Sequence, residues 1–404
     1  MKYLIILGDG MADWPIEAFE GRTILQNAKK PYMDMLAAKG RNGLFKSVPD
    51  GFLPGSEVAN LSVLGYDVAS VFEGRGVLEA ANMGVDIQPG ELGMRCNLIC
   101  VDNGLIKNHS AGHISTAEAA ELMEFLQREL GDERTHFYSG VQYRHLLVLK
   151  GGDKRLICTP PHDVPMKPFM PLIVKAEVDE ALDTAQRLNN LILNSMSILP
   201  SHSVNIKRAE EGKDMANCIW PWSPGYRPNM TKLSDIYPFI KESSVISAVD
   251  LIKGIGYYAG MKIIDVEGAT GMFDTNYSNK AKAAVEALRS DDLVYVHVEA
   301  PDEAGHEGDC NLKNRTVEDL DRLLVGPIFE SIKDWQTPVA IAILPDHPTP
   351  CALRTHTSDP VPFLIYYPGI EPDSVKVFDE ISCKEGSLGT MSGAQFMNFF
   401  LSKK

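Results

Sequence analysis

The sequence predicts an α/β protein with a mainly parallel sheet, and three observations support this fold class. The apolar runs at residues 3–7, 293–298 and 339–344 are continuous, which is typical of parallel strands covered on both faces. Each run is followed within a few residues by a carboxylate. Helix-like segments at 279–289 and 313–324 separate the later runs, as βαβ units require.

Composition places the chain among large acidic globular proteins. Its 404 residues include 54 acidic and 39 basic side chains, which give a formal net charge of −15. That length suggests two or three domains of ~100–200 residues each. An acidic chain without a Lys/Arg-rich run is a poor ligand for a phosphate backbone, so we expect no nucleic-acid partner. A small anionic substrate stays compatible with this charge if a few arginines gather in a cleft.

The sequence predicts neither a targeting signal nor paired cysteines. No stretch approaches the ~20 consecutive apolar residues of a membrane span, and the first apolar run is interrupted too early for a signal peptide. We therefore expect a cytoplasmic protein without membrane association. The seven cysteines form no C-x-x-C pair, and we expect them to be reduced packing residues.

Further strands are predicted at 245–249, 262–266 and 361–366 from their apolar, β-branched composition. In an open α/β sheet the carboxyl ends of the parallel strands form one crevice, where ligands bind. Asp9 and Asp346 each follow a predicted strand after one residue, and Asp302 follows a third strand after three residues. These carboxylates are therefore expected at the same edge of the sheet.

The middle of the chain has a different pattern. It contains two amphipathic stretches, a hairpin-like pair of strands and a Pro- and Gly-rich linker-like segment, at 115–130, 177–195, 143–149 with 155–158, and 220–228. Because strands followed by carboxylates occur on both sides of this block, the sequence predicts one α/β core that is interrupted. The core comprises 1–78 and 223–404, and 79–222 forms an inserted α+β domain.

The strongest chemical signal combines carboxylates with imidazoles, at Asp9, Asp302, His306, Asp346, His347 and His356. Such oxygen and nitrogen donors suit Mn²⁺, Zn²⁺ or Mg²⁺, and two ions ~4 Å apart can clamp a phosphoryl group during in-line displacement. Each motif alone has an ordinary alternative, such as a solvated helix face, a helix cap or a loop. Their common position after strands favours a metal centre.

Ser56 is the candidate nucleophile beside this centre. It stands in Pro54-Gly55-Ser56, ahead of an amphipathic run, and is expected at or near the start of a helix. One interpretation is an ordinary N-cap serine. The other is a hydroxyl whose pKa a metal ion lowers, with helix N–H groups facing an incoming phosphate.

The inserted block carries candidate groups for an anionic substrate. Polar clusters occur around His113 and at His162-Asp163, and the cations best placed to hold an anion are Arg144 and Arg208. For each of them, a surface or domain-interface role is the alternative.

Several segments together resemble the cofactor-independent phosphoglycerate mutases, and most closely their archaeal-type branch within the alkaline phosphatase superfamily. The segments are GDGM at 8–11, PGSEVAN at 54–60, DEAGH at 302–306, PDHPTP at 345–350 and HTSDPVP at 356–362. Residues 95–98, 111–115 and 205–217 are also similar to that branch, so the resemblance runs over nearly the whole chain.

The resemblance implies an alkaline-phosphatase-like core with an inserted substrate-binding or lid domain. It implies that Ser56 is phosphorylated during conversion of 3-phosphoglycerate to 2-phosphoglycerate, a glycolytic step, without 2,3-bisphosphoglycerate. It also implies two divalent ions, with Mn²⁺ first and Zn²⁺ or Mg²⁺ as alternatives. Their ligand sets would be Asp9, Ser56, Asp346 and His347 for one ion, and Asp302, His306 and His356 for the other. The substrate would be gripped by His113, Arg144, His162, Asp163 and Arg208.

Other functions remain open on sequence grounds. The metal site would fix phosphoryl chemistry but not the acceptor, so a related phosphotransferase, such as a homoserine-kinase-like enzyme, is the nearest alternative. A metal-dependent phosphatase or phosphonate hydrolase is a second, and a metal-stabilised scaffold protein with a decayed site is a third. No clear lysine counterpart for substrate binding emerges, with Lys262 and Lys280 as candidates.

Overall fold

The continuous apolar runs become the buried strands of the larger sheet in the computed structural model, which describes residues 1–402. The strands of the chain are β1 Lys2–Gly8, β2 Arg41–Lys46, β3 Glu91–Asp102, β4 Leu105–Asn108, β5 Thr135–Val141, β6 Arg144–Lys150, β7 Leu156–Ile157, β8 Lys175–Ala176, β9 Cys218–Gly225, β10 Ser243–Ile246, β11 Lys262–Ile264, β12 Leu293–Val298, β13 Val339–Leu344, β14 Val361–Tyr366 and β15 Thr390–Ser392.

Helices connect most of these strands. They are α1 Ile24–Asn27, α2 Pro31–Lys39, α3 Ser56–Val63, α4 Val68–Val71, α5 Arg75–Asn82, α6 Thr116–Leu130, α7 Leu182–Ile198, α8 Ser203–Glu210, α9 Leu233–Ile236, α10 Asp250–Tyr258, α11 Tyr277–Ser290, α12 Ala300–Glu307, α13 Cys310–Leu320, α14 Gly326–Ile332, α15 Glu380–Lys384 and α16 Gln395–Phe400. Within residues 1–402, no helix is both long and apolar enough to cross a bilayer.

The larger sheet has the strand order β11-β10-β12-β1-β13-β14-β2-β15. Its pairings are parallel except at β14, which is antiparallel to both β13 and β2. The strands β12 and β13, which flank β1, are buried along their whole length. Burial of each Leu, Ile or Val side chain contributes ~1.5–3 kcal/mol, so this three-stranded centre fixes the register of the sheet. The predicted α/β class with a mainly parallel sheet is confirmed.

Two compact units make up the chain, residues 1–72 with 229–404, and residues 73–228. The sequence placed the boundaries a few residues further in, at 78/79 and 222/223. The difference arises because α5 packs on β3 and β9, so both α5 and the end of β9 belong to the second unit. The assignment of a lid role to that unit stays a prediction.

The second unit is built on an antiparallel sheet of β4, β3, β6 and β5, with β9 paired to β3. The linker predicted at 220–228 is wrong over most of its length, because Cys218–Gly225 is a strand. Its prolines are tolerated since β9 lies at an edge of the sheet, where a missing N–H breaks no ladder. The predicted hairpin is also wrong: β6 pairs with β3 and β5, while β7 pairs with β8.

The helices of the second unit follow the sequence closely. Ser115 caps α6, accepting a hydrogen bond from the Glu118 N–H while the Glu118 side chain accepts from the Ser115 N–H. This capping box explains why the helix begins where the amphipathic pattern begins. The second predicted helix forms later than expected, at Leu182–Ile198, after a short 3₁₀ turn at Asp179–Ala181.

Candidate active site

Three neighbouring strands place the first group of polar side chains at one edge of the larger sheet. Asp9 follows β1 directly, Asp346 follows β13, and His297 is the last but one residue of β12. All three side chains are fully buried. Because parallel strands end at the same edge, residues that are far apart in sequence come together here.

The hydroxyl of Ser56 lies within this group. Its Oγ is 3.3 Å from Asp9 Oδ2 and 3.3 Å from His347 Nε2. Gly55 occupies the N-cap of α3, and Ser56 is the first helical residue. The start of a helix presents unpaired N–H groups and a partial positive charge, which favour an incoming anion. The serine therefore faces the ligand-type side chains and does not serve as the helix cap.

Asn60 ties this helix to the sheet. Its side-chain N–H₂ donates to the Ser56 carbonyl (2.8 Å) and to Asp346 Oδ2 (3.0 Å). The hydroxyl of Tyr295, on β12, donates to the Asn60 Oδ1. One buried amide thus fixes both the start of α3 and the orientation of the Asp346 carboxylate.

Gly10 brings the two halves of the site close together. Its backbone N–H donates to Asp346 Oδ1 (3.1 Å), and its φ of 59° lies in the left-handed region. A Cβ at this position would lie 2.5 Å from Asp302 Oδ1 and 2.5 Å from Thr349 Oγ1. Glycine is required here by both the backbone conformation and the space.

The second group of side chains is centred on Asp302, on α12. His306, one helical turn later, places its Nε2 3.1 Å from Asp302 Oδ2. His356 places its Nε2 3.5 Å from Asp302 Oδ1 and 3.0 Å from the His306 Nε2. The hydroxyl of Thr349 donates to Asp302 Oδ1.

The tautomers of these two histidines fit a metal ion. The Nδ1 of His306 lies 3.0 Å from the Arg354 carbonyl, and the Nδ1 of His356 lies 3.4 Å from the Pro54 carbonyl. Because a carbonyl only accepts, each Nδ1 is a donor, and both Nε2 atoms face Asp302. A proton on Nε2 hydrogen-bonds to Asp302 and would be displaced when a metal ion binds, since a ligating imidazole is neutral. Two imidazole nitrogens and a carboxylate that face one another in this way suit a divalent cation, and the hydrogen bonds at Nδ1 are typical of ligating histidines.

Ligand-type side chains form three groups whose donor atoms lie within 4.8 Å of one another. The groups are Asp302 with His347 and His356, Asp9 with Asp346 and His347, and Asp9 with His297 and Glu299. The first two contain only residues predicted from the sequence, and they share His347. The third brings in His297 and Glu299, which the sequence reasoning missed.

The electrostatics of the site favour bound positive charge. Burial raises the pKa of Asp9 well above its ordinary value, and the carboxylates of Asp346, Glu299 and Asp302 raise it further. Burial also raises the pKa of Glu299, to about 8, with Asp302 as the next cause. Several buried carboxylates so close together repel one another unless positive charge compensates them.

The pKa of Asp302 is shifted in the opposite direction. Burial raises its pKa, but hydrogen bonds with His306 and His356 outweigh burial and hold the pKa well below its ordinary value. In turn, the hydrogen bond to Asp302 raises the pKa of His306 to about 9. Asp302 is therefore the ionised carboxylate of the second group.

A separate cluster of cations and aromatic rings lies in the second unit. The guanidinium of Arg95, on β3, lies 4.5 Å from the centre of the Trp222 ring, on β9. The His162 ring packs against Trp222 at 5.4 Å between centroids and against His109 at 6.2 Å. Arg144 lies over the Tyr143 ring, which contacts His109. We refer to Arg95, His109, Arg144 and His162, together with Arg75, whose charge acts on Arg95 and His162, as the basic cluster.

Charges within the basic cluster act on one another. Burial lowers the pKa of Arg95, and Arg75 and Arg144 lower it further, while Glu79 opposes this effect. Burial also lowers the pKa of His162, and Arg95, His109 and Arg75 contribute in the same direction. An anion bound here would relieve this mutual repulsion.

The other residues predicted for the insert occupy different positions. His113 is exposed and follows Ala111 and Gly112, and all three have a positive φ. Arg208 is buried: it donates to the carbonyls of Ala111 and Asp214 and forms an ion pair with Glu118. Its guanidinium therefore holds the turn that presents His113 and is committed to protein partners.

The remaining candidate residues also differ in exposure and in their bonding partners. Asp163 is exposed, with its Oδ1 3.5 Å from His162 Nε2. Lys262 forms ion pairs with Glu242 and Asp291 at the β11 edge of the larger sheet. Lys280 is fully buried and donates to the carbonyl of His297.

Known proteins are similar to this chain in sequence and in fold. A family model described as 2,3-bisphosphoglycerate-independent phosphoglycerate mutase matches residues 37–205. The chain is 48% identical over 409 residues to the 2,3-bisphosphoglycerate-independent phosphoglycerate mutase of Methanosarcina barkeri, with 100% of each chain covered. The chain belongs to the 2,3-bisphosphoglycerate-independent phosphoglycerate mutase family. The family predicted from the sequence is confirmed.

Solved structures agree with membership of this mutase family. The cofactor-independent phosphoglycerate mutase from Thermoplasma acidophilum matches with a TM-score of 0.69 and 29% identity, covering 100% of this chain and 99% of that one. A protein from Pyrococcus horikoshii matches with a TM-score of 0.84 and 29% identity, covering 99% and 96%.

Several residues of this mutase site were not assigned by the sequence reasoning. Asn60 and Arg95 were noted only as parts of similar segments, and Tyr295 and His297 were interpreted only as strand residues. A polar residue inside an otherwise apolar run was the available signal, since a buried strand rarely carries an imidazole without a partner. Glu299 had a comparable signal, as it directly follows the same strand.

Proposed function

We propose that this chain interconverts 3-phosphoglycerate and 2-phosphoglycerate through a phosphoserine at Ser56. It is an isomerase of the 2,3-bisphosphoglycerate-independent class. The observation that carries this proposal is the position of the Ser56 hydroxyl, 3.3 Å from both Asp9 and His347 at the start of α3. A hydroxyl held among metal-ligand side chains is suited to attack phosphorus.

Two divalent ions are proposed at this site, with Mn²⁺ first and Zn²⁺ or Mg²⁺ as alternatives. The ligand sets are those predicted from the sequence: Asp9, Ser56, Asp346 and His347 for one ion, and Asp302, His306 and His356 for the other. Bound ions would lower the pKa of the serine hydroxyl and compensate the negative charge of the transferring phosphoryl group. The mixed oxygen and nitrogen donors support this assignment.

The residues of the chain perform the transfer in two steps. The Ser56 hydroxyl loses its proton as Oγ bonds to phosphorus, the bond from phosphorus to the 3-oxygen of glycerate breaks, and that oxygen takes up a proton. The 2-hydroxyl of the same glycerate then loses its proton as its oxygen bonds to phosphorus, the Ser56 Oγ–P bond breaks, and Ser56 Oγ takes up a proton. Asn60 holds the start of α3 in place during both steps, so Ser56 Oγ leaves from the same position at which it attacked.

We propose that the second unit recognises the acid. The basic cluster supplies guanidinium and imidazole donors, which suit a carboxylate or a phosphate. Of the residues predicted from the sequence, Arg144 and His162 belong to this cluster and His113 and Asp163 are exposed in the same unit. Arg208 is assigned the role of holding the His113 turn, because its donors are used within the protein.

Replacement of Arg144 tests this assignment. We expect Arg144→Met to raise the KM for 3-phosphoglycerate about tenfold, because a hydrogen bond to a charged group contributes ~1.5–3 kcal/mol. The exposed Arg128, whose ion pair with Glu129 is local to α6, gives the matched control Arg128→Met. Steady-state kinetics should show the change for Arg144 alone, and an unchanged KM would remove this residue from substrate binding.

The activity itself is tested with the full chain, 3-phosphoglycerate and Mn²⁺ in an assay coupled to enolase. We expect turnover that a chelator abolishes and that added Mn²⁺ restores. Release of free phosphate in place of 2-phosphoglycerate would favour a phosphatase. The homoserine-kinase-like alternative is not favoured by the relatives, and it would require ATP-dependent phosphorylation of homoserine. The cytoplasmic location and the lack of a nucleic-acid partner stay predictions.

A further inference from the structure

A fully buried lysine joins two of the loops that carry ligand-type side chains. Lys313, on α13, donates three hydrogen bonds from its ammonium group. The acceptors are the Ala12 carbonyl at 3.0 Å, Asp13 Oδ2 at 2.9 Å and the Thr349 carbonyl at 2.8 Å. A lysine ammonium has three N–H donors, so all of them are used within the protein.

The three acceptors lie on the loops that leave two neighbouring strands of the larger sheet. Ala12 and Asp13 follow β1, and Thr349 follows β13. The loops also contact each other directly, because the Thr349 N–H donates to the Ala12 carbonyl at 3.3 Å. The lysine therefore fixes the spacing of two loops whose first residues include proposed metal ligands.

Asp13 compensates the charge of this lysine. Its Oδ2 lies 2.9 Å from the Lys313 Nζ and also accepts a hydrogen bond from the Cys351 N–H at 3.2 Å. Its Oδ1 accepts from the Trp14 N–H at 2.8 Å. Because the ion pair is neutral as a whole, we expect Lys313 to act on the site through the position of its partners and not through its charge.

Thr349 connects the lysine to both groups of ligand-type side chains. Its carbonyl accepts from Lys313, while its hydroxyl donates to Asp302 Oδ1 and lies 3.3 Å from the His347 Nδ1. The hydroxyl has one proton, which the carboxylate accepts, so the His347 Nδ1 is the donor in the second contact. In the neutral imidazole this leaves the Nε2 without a proton, as a metal ligand requires.

The packing around Thr349 leaves little room for other positions of its backbone. Thr349 is fully buried. A Cβ at Gly305, on α12, would lie 2.5 Å from the Thr349 carbonyl oxygen, and a Cβ at Gly10 would lie 2.5 Å from its Oγ1. A shift of the Thr349 backbone would therefore move its hydroxyl relative to Asp302 and His347.

We propose that Lys313 is a positioning residue of this site, which holds the Thr349 backbone and thereby sets the orientation of the Asp302 and His347 side chains. The inference rests on the proposed function in that these two residues are taken as metal ligands. Removal of a group that hydrogen-bonds to a metal ligand lowers metal affinity by about 10- to 100-fold. Lys313 lies one residue further from the ions, so we expect an effect at the lower end of this range.

The affinity for Mn²⁺ tests this role independently of turnover. Free Mn²⁺ is measured by electron paramagnetic resonance while the full chain and each variant are titrated. We expect Lys313→Met to raise the Kd for Mn²⁺ about tenfold, because Thr349 loses the donor that fixes it. Lys30→Met is the matched control, since Lys30 is another buried lysine of the same unit and pairs with Asp34 at 2.8 Å. This control should leave the Kd unchanged.

A double-mutant cycle distinguishes positioning from a general loss of stability. Thr349→Val keeps the size of the side chain, removes the hydroxyl and should raise the Kd for Mn²⁺ to a similar extent. If Lys313 acts through Thr349, adding Lys313→Met to Thr349→Val should change the Kd by no more than about twofold. Independent effects that multiply in the double variant would show that the lysine does not act through Thr349.

A second variant covers the folding of Lys313→Met, which leaves the Asp13 carboxylate buried without its partner. Lys313→Met/Asp13→Asn removes both charges, and thermal melting shows which variants are folded. An unchanged Kd for Mn²⁺ in a folded variant would overturn the positioning role, even if the unchanged protein converts 3-phosphoglycerate. The expected changes in Kd without any such conversion would reject only the proposed function.

Discussion

Ser56→Ala is expected to abolish both mutase turnover and phosphoserine formation. The Ser56 Oγ is the hydroxyl placed 3.3 Å from both Asp9 and His347, and the methyl group of alanine can form no bond to phosphorus. Loss of a covalent nucleophile reduces kcat by about 10³-fold or more. The enolase-coupled assay measures turnover, and the mass of the acid-quenched protein after exposure to substrate reports phosphorylation.

Ser62→Ala provides the matched control, since it makes the same chemical change on the same helix. Ser62 is fully buried, and its Oγ has no hydrogen-bond partner among residues 1–402. Its removal should leave both turnover and phosphorylation unchanged. Retained turnover in Ser56→Ala, or phosphorylation at another residue, would reject the proposed nucleophile.

The central sheet could be predicted because its signal is local. A continuous apolar run specifies a buried strand whatever its partners are, and the runs at β12, β13 and β14 were predicted to the residue. The pairing of strands in the second unit could not be predicted in this way. β6 and β7 were expected to form a hairpin because they are close in sequence, but closeness in sequence leaves open which strand each of them pairs with.

The candidate site likewise contains residues that the sequence could predict and residues that it could not. Asp9, Ser56 and Asp346 stand at the ends of strands or the start of a helix, where sequence position alone predicts that side chains converge. His297 and Tyr295 lie inside a buried strand, and their role depends on which residues the neighbouring strand and α3 bring to them. Arg208 shows the opposite case, because a cation near a polar cluster was interpreted as a substrate ligand and is buried in protein hydrogen bonds.

Asp302→Asn is expected to remove one ion and most of the activity. Asp302 is the carboxylate toward which both His306 and His356 direct their Nε2 atoms, at 3.1 Å and 3.5 Å. Asparagine keeps the size of the side chain but removes the negative charge that a divalent ion requires. We expect kcat/KM to fall by ~10²–10⁴, in line with the loss of a group that stabilises charge in the transition state.

Metal dependence distinguishes a lost ligand from a damaged fold in this variant. If Asp302 binds the ion, raising the Mn²⁺ concentration should restore part of the turnover by mass action, and Glu303→Gln should behave like the unchanged protein. Full metal content in Asp302→Asn would reject its assignment as a ligand.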